Sequence, residues 1–131
     1  MRNYVVQGVE YKKKSIDSLT TRLESNRAYQ HLSWVDFFFM HDVHIIGLGL
    51  DFIEIHLWWL LTYRARANIS GKSCTQNRVI YYCPRERQNE DGIKLRFLKA
   101  NKVEIKYFDC PNHDKRHYYG SVLRSLINQK L

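Results

Sequence analysis

The sequence predicts an α/β fold, a three-layer Rossmann-like half-domain with a short parallel sheet and helices on both faces. Three observations predict it. Strand-like apolar runs recur at residues 43–46, 78–83 and 103–108, and each is followed by a segment whose apolar residues have helical spacing. The first run passes into Gly47-Leu48-Gly49 and then into a helix. Strands alternating with helices favour a parallel sheet, because each return to its edge needs a crossover, and right-handed crossovers cover its faces.

The chain has 131 residues, 44% of them hydrophobic and 14% aromatic, which is material for one core rather than two. One domain is therefore expected over residues 1–131, with a helical part over 1–40 and a βαβαβα part over 42–131. The charged fraction is an ordinary 26% and apolar residues occur along most of the length, which excludes the disordered class.

From residue 15 to about residue 40, Ile16, Leu19, Leu23, Leu32, Val35 and Phe39 follow steps of mostly three, four or their multiples without proline, which predicts one long helix or two consecutive ones. The cluster Trp34, Phe37, Phe38 and Phe39 needs a large surface to cover it. Val43-His44-Ile45-Ile46, bounded by Gly47, reads as a buried strand. Residues 52–67 supply a helix with Ile53, Leu57, Leu60 and Leu61 on one face, and Arg64 and Arg66 are expected in its last turn, favourable against the negative helix end.

Residues 68–77 read as a loop and residues 78–83 as a second strand, stopped by Pro84. A shorter helix follows over residues 88–100, with Asn101 as its terminator. Val103 to Phe108 alternates apolar and polar positions, as suits a third strand near the sheet edge. Pro111-Asn112-His113-Asp114 is a turn, and Tyr118, Val122 and Leu126, with Leu123 and Ile127 beside them, form a closing helix from residue 117. Residues 1–10 offer one further strand, through Tyr4-Val5-Val6 or Val9 to Tyr11.

The formal net charge of +8 favours an anionic partner, but the basic residues are scattered over several elements and no nucleic-acid reader motif accompanies them. Nucleic acid is therefore not the expected partner. Cys74, Cys83 and Cys110 lack the spacing of a disulfide framework or a zinc ribbon. The N-terminus has no signal-peptide core, and the run at residues 53–61 is too short to cross a bilayer and carries Glu54 and His56. A cytoplasmic protein with no membrane contact is expected.

A strand that enters Gly-x-Gly and then a helix suits phosphate, since glycine admits close backbone approach and a helix N-terminus presents unpaired N–H groups. The pattern alone is weak, because Phe52 stands where the dinucleotide fingerprint has its third glycine. The plainer alternative is a tight turn beneath a close-packed helix. Residues 43–61, VHIIGLGLDFIEIHLWWLL, resemble the late nucleotide-binding segment of sirtuin-like NAD-binding proteins, including the sirtuin-like and AbiH-like families of bacterial phage defence. In those families an apolar strand enters a glycine turn, and an acidic residue follows, often with a histidine; here Asp51, Glu54 and His56 match.

The resemblance implies an NAD- or ADP-ribose-type cofactor held by Gly47, Leu48, Gly49, Leu50, Asp51, Glu54 and His56. It covers residues 33–130 loosely, and only residues 43–61 are specific. Sirtuins proper carry threonine and serine in this turn, where Leu48 and Gly49 stand here. The family's N-terminal glycine-rich loop and catalytic histidine have no counterpart before Ser33. The chain is thus expected to correspond to the C-terminal half of such a domain and to need a partner chain or N-terminal half for the NAD hydrolysis the family implies. The competing reading is an oligomerisation or protein-interaction module without ligand, built on the aromatic N-terminal helix and on Trp58-Trp59.

Other residues carry plainer readings. Asp51 is favoured as a helix N-cap, with Glu54 at capping-box spacing, over a ligand contact. His44 is expected to be a hydrogen-bonded core or sheet-end histidine. His113 and His117 have zinc-compatible i, i+4 spacing only if both lie on one helix, and metal binding is not expected. Adjacent tryptophans diverge by about 100° on a helix, so one of Trp58 and Trp59 belongs at a boundary. Cys83 and Cys110 read as small buried thiols rather than nucleophiles.

Overall fold

Residues 34–71, 76–90 and 92–128 are described by the computed structural model. The expected helix over residues 15–33, the further strand in residues 1–10 and Cys74 lie outside them. In chain order the elements are α1 (Trp34–Met40), β1 (Val43–Ile45), a 3-10 turn (Phe52–Glu54), α2 (Ile55–Ile69), β2 (Val79–Pro84), a 3-10 turn (Arg85–Arg87), α3 (Gly92–Ala100), β3 (Glu104–Phe108), a 3-10 turn (Pro111–His113) and α4 (Lys115–Asn128). All belong to the compact unit His31–Leu131.

The strands form one parallel sheet in the order β1-β2-β3. Its register aligns His44 with Ile80 and Glu104, and Ile45 with Tyr81 and Ile105. The central strand β2 is covered on both faces, which explains its unbroken apolar composition. Ile80 and Tyr82 pack on one face with Tyr118 and Val122 of α4 and with Cys110. The alternate residues Val79, Tyr81 and Cys83 point to the other face, where successive right-handed crossovers place α2 and α3. Helices therefore lie on both faces, and β3 takes the edge position that its alternating pattern predicts.

Boundaries depart from expectation in instructive places. Proline 84 ends β2 from inside the ladder, aligned with Phe108, because a missing N–H is tolerated at a strand's last position. Helix α3 begins at Gly92 rather than residue 88, since residues 85–87 wind as a 3-10 turn. It ends in a Schellman motif: Val103 N–H donates to Leu98 O at 3.0 Å and Lys102 N–H to Lys99 O at 3.0 Å. Lys102, not glycine, takes the left-handed position at φ 56°. Asn101 adds a side-chain bond to Phe97 O at 2.9 Å, consistent with its predicted role as terminator.

Helix α2 continues to Ile69, so Arg64 is an interior residue rather than a last-turn one, and it is buried at 3% exposure. Its Nε donates to Asn77 Oδ1 at 3.1 Å, and its terminal nitrogens donate to Asn77 O and, at 3.5 Å, to Lys102 O. Asn77 Nδ2 in turn donates to Phe38 O at 2.9 Å and His41 O at 2.7 Å. This hub ties α1, α2 and the approaches to β2 and β3 at the amino ends of the strands. Phe39, fully buried, meets Tyr63 of α2 edge to face, which covers part of the aromatic cluster.

Candidate functional site

The opposite, carboxyl ends of the strands are where open α/β sheets place ligands, because the connections there diverge and leave a crevice. Here that crevice has a volume of about 260 Å³. Gly47, Leu48 and Gly49 line one side of it, Tyr81, Tyr82 and Pro84 of β2 line its middle, and Glu86 and Arg87 follow. Cys110, His113, Lys115, Tyr118 and Tyr119 complete it from beyond β3.

The loop after β1 is held by specific bonds. Gly47 has φ 72°, a left-handed conformation that glycine adopts without penalty, and a β-carbon there would lie 2.7 Å from Tyr119 Oη. Leu50 is also left-handed at φ 54°, and the burial of its side chain offsets that strain. Tyr81 Oη donates to Leu48 O at 3.1 Å and Lys94 Nζ to Gly49 O at 2.8 Å, so both carbonyls are fixed.

The other wall is built by the segment from Cys110 into α4. Glu86 Oε1 accepts from Cys110 N–H at 2.9 Å, which anchors the turn to the end of β2. Asn112 and His113 are consecutive left-handed residues at φ 53° and 58°. Strain of this kind costs about 1–3 kcal/mol per residue and gathers at functional sites. Asp114 Oδ1 accepts from the N–H groups of Arg116 at 2.9 Å and His117 at 3.3 Å, the capping that the helix start requires.

Lys115 and Arg116 occupy the first turn of α4, where a cation opposes the helix dipole at roughly 0.3–1 kcal/mol each. With Arg87 opposite, the cationic side chains give the crevice a positive rim. Tyr118 lies beneath that rim at 3% exposure, and its hydroxyl has no hydrogen-bond partner among the described residues. Burial raises its pKa above the ordinary tyrosine value, helped by Cys83, Tyr81, Tyr119 and Cys110. The arrangement offers cations, a neutral phenol and a close-approach backbone to an anionic ligand.

The structure divides the residues that the sequence grouped as one ligand site. Gly47, Leu48 and Gly49 line the crevice, whereas Leu50 and Asp51 line a separate groove of about 560 Å³ between α2 and α3. Glu54 is half-buried, with Oε2 lacking a partner among the described residues, and His56 is exposed; neither lines the crevice or the groove. The expected N-cap at Asp51 is corrected: its carboxylate makes no capping bond, and Glu54 makes none either. A 3-10 turn stands between Asp51 and α2, so the capping-box register is never set up.

His44 Nδ1 lies 2.9 Å from Tyr82 Oη, the hydrogen-bonded sheet histidine that was expected. His113 sits in the left-handed turn and His117 on α4, so they share no helix. Cys83 and Cys110 are buried free thiols. Trp59 is 53% exposed and stacks on Tyr63 at 5.4 Å, while Trp58 is half-buried in the groove, as the boundary argument required.

Arg87, Lys115 and Tyr119 were not singled out for this site from sequence. Two of them carried a signal there, since charged residues just beyond predicted parallel strands fall at the carboxyl edge by construction. Comparison with protein-family models, with curated proteins and with solved structures finds no match to this chain. Among the described residues, no helix is long and apolar enough to cross a membrane.

Proposed function

We propose that the chain is a nucleotide-binding module that takes the ribosyl-phosphate part of an NAD- or ADP-ribose-type ligand in the crevice at the carboxyl ends of the strands. The observation that carries this reading is the convergence of the Gly47 to Gly49 loop with Arg87 and Lys115 around one cavity at the sheet's carboxyl edge. Phosphate needs positive charge and backbone it can approach, and the crevice offers both. Tyr119 and Tyr81 supply aromatic surface for a sugar or base.

At about 260 Å³ the cavity falls just below the roughly 300–1,000 Å³ of sites that enclose a drug-sized ligand. A mononucleotide-sized portion is therefore bound inside and the remainder projects outward. The resemblance of residues 43–61 to sirtuin-like proteins selects NAD and ADP-ribose within the nucleotide class and extends the proposal to a phage-defence setting. Binding is proposed, not turnover by this chain alone.

Isothermal titration of the full chain with ADP-ribose, NAD and inorganic phosphate tests the proposal. ADP-ribose is expected to bind more tightly than phosphate, and Arg87→Ala and Lys115→Ala to weaken it about tenfold each, the value of one charge-assisted hydrogen bond. No heat with either nucleotide at millimolar concentration, or binding indifferent to both substitutions, refutes it.

A further inference from the structure

The residues that line the crevice divide by charge as well as by depth. Glu86, Arg87 and Lys115 are exposed, as is His113, whereas Tyr81, Tyr82, Cys110 and Tyr118 are buried and form a floor without a charged side chain. The hydroxyls of that floor have partners with one exception. Tyr81 Oη donates to Leu48 O at 3.1 Å, and Tyr82 Oη lies 2.9 Å from His44 Nδ1. Tyr118 Oη, on a residue 3% exposed, has no partner among the described residues.

A buried hydroxyl without a partner is rare, because the bond it made to water in the unfolded chain is not replaced on folding. On the wall of a cavity, a ligand can bring the missing partner. Burial also holds the phenol protonated well above neutral pH, so it presents an O–H to an acceptor. Resting on the ribosyl-phosphate reading of the crevice, we propose that Tyr118 Oη donates a hydrogen bond to a ribose hydroxyl, so that the ligand enters sugar first and leaves its phosphate at the rim with Arg87 and Lys115.

Charge selects this orientation. A phosphate on the floor would lie among neutral side chains, and burying an anion without a cation costs far more than burying a neutral hydroxyl. A ribose hydroxyl accepts from the phenol and keeps its own proton to donate elsewhere. The exposed Tyr119 ring packs edge to face on Tyr118, with 5.1 Å between centroids. Tyr118 Oη is closed to solvent, and a rotamer change of that surface ring admits the sugar.

Isothermal titration of the full chain and of Tyr118→Phe with ADP-ribose, ribose 5-phosphate and inorganic phosphate tests this. The substitution is expected to weaken ADP-ribose and ribose 5-phosphate about tenfold each, the size of one hydrogen bond, and inorganic phosphate by less than about twofold. A merely structural role would weaken all three together, and circular dichroism melting at neutral pH checks that the variant is folded. Unchanged affinity for both sugar phosphates overturns the proposal and leaves nucleotide binding standing. Equal loss for all three ligands also overturns it, because the phenol would then not read the sugar. Ribose 5-phosphate bound without ADP-ribose or NAD would instead sink the nucleotide reading, and its weakening in Tyr118→Phe would still support the role of the phenol. A wild type that binds none of these ligands refutes both.

Discussion

Tyr119 Oη stands 2.7 Å from the point that a β-carbon on Gly47 would occupy, so the closing helix α4 touches the glycine loop at the glycine whose backbone is both left-handed and crowded. Gly49, two residues on, has an ordinary φ, and a β-carbon there would meet only the exposed Asp51 carboxylate at 3.2 Å. The two glycines that form one sequence motif therefore do different work. Gly47→Ala is expected to lower stability by about 1–2 kcal/mol, through left-handed strain and displacement of the Tyr119 ring. Gly49→Ala is expected to cost less than about 0.5 kcal/mol, since a flexible side chain can move aside. Urea unfolding of both variants checks the contrast, and equal losses would contradict it.

Arg64 is expected to be the costliest polar position among the described residues. Removing its guanidinium takes the donor from the half-buried Asn77 Oδ1 and Asn77 O and from Lys102 O, and lost hydrogen bonds to a charged donor cost about 1.5–3 kcal/mol. Arg64→Ala should show that loss in denaturant unfolding. Arg66→Ala, one turn end away and exposed, should change stability by less than about 0.5 kcal/mol.

Alkaline pH should unfold the protein by way of its tyrosines. Burial raises Tyr118, and also Tyr82 and Tyr107, above the ordinary tyrosine value near 10. A raised tyrosine stabilises the folded state while the unfolded chain is still protonated. That stability is fully present below about pH 10 and is lost as pH rises from there towards the folded-state pKa, because the unfolded chain releases its proton first. Tyr118→Phe should shift the alkaline unfolding midpoint upward, with neutral-pH stability little changed because the hydroxyl it removes has no partner among the described residues. An unmoved alkaline midpoint would assign the transition to other groups.

Ligand binding should appear as stabilisation. A ligand that binds only the folded state at about 100 times its Kd adds roughly 2.7 kcal/mol. ADP-ribose at such excess is expected to raise the melting temperature of the wild type, and Lys115→Ala to need correspondingly more ligand for the same shift. The shift should shrink as salt rises, since Arg87 and Lys115 act at a solvent-facing rim.

Local spacing was enough to read the alternation of strands and helices, because hydrophobic periodicity follows from the geometry of each element by itself. The strand at Val43, the edge position of β3, the termination of α3 at Asn101 and the buried thiols of Cys83 and Cys110 were all legible on that basis. The residues that line the crevice were legible only as far as Gly49. Leu50 and Asp51 continue the same motif in sequence, yet a left-handed Leu50 and the 3-10 turn after Asp51 carry them to a different cavity.

What the sequence determined by itself is the order and type of the elements and the glycine turn between β1 and α2. Tertiary structure alone decided that Gly47 meets Tyr119, that Arg64 is buried against Asn77, and that Arg87 and Lys115 share a rim. The crevice pairings join residues far apart in the chain and exist because parallel register aligns the carboxyl ends of all three strands at one edge, while the same alignment brings Arg64 and Asn77 together at the amino ends. No local pattern encodes that register, since it is set by which faces of the whole sheet the helices can cover.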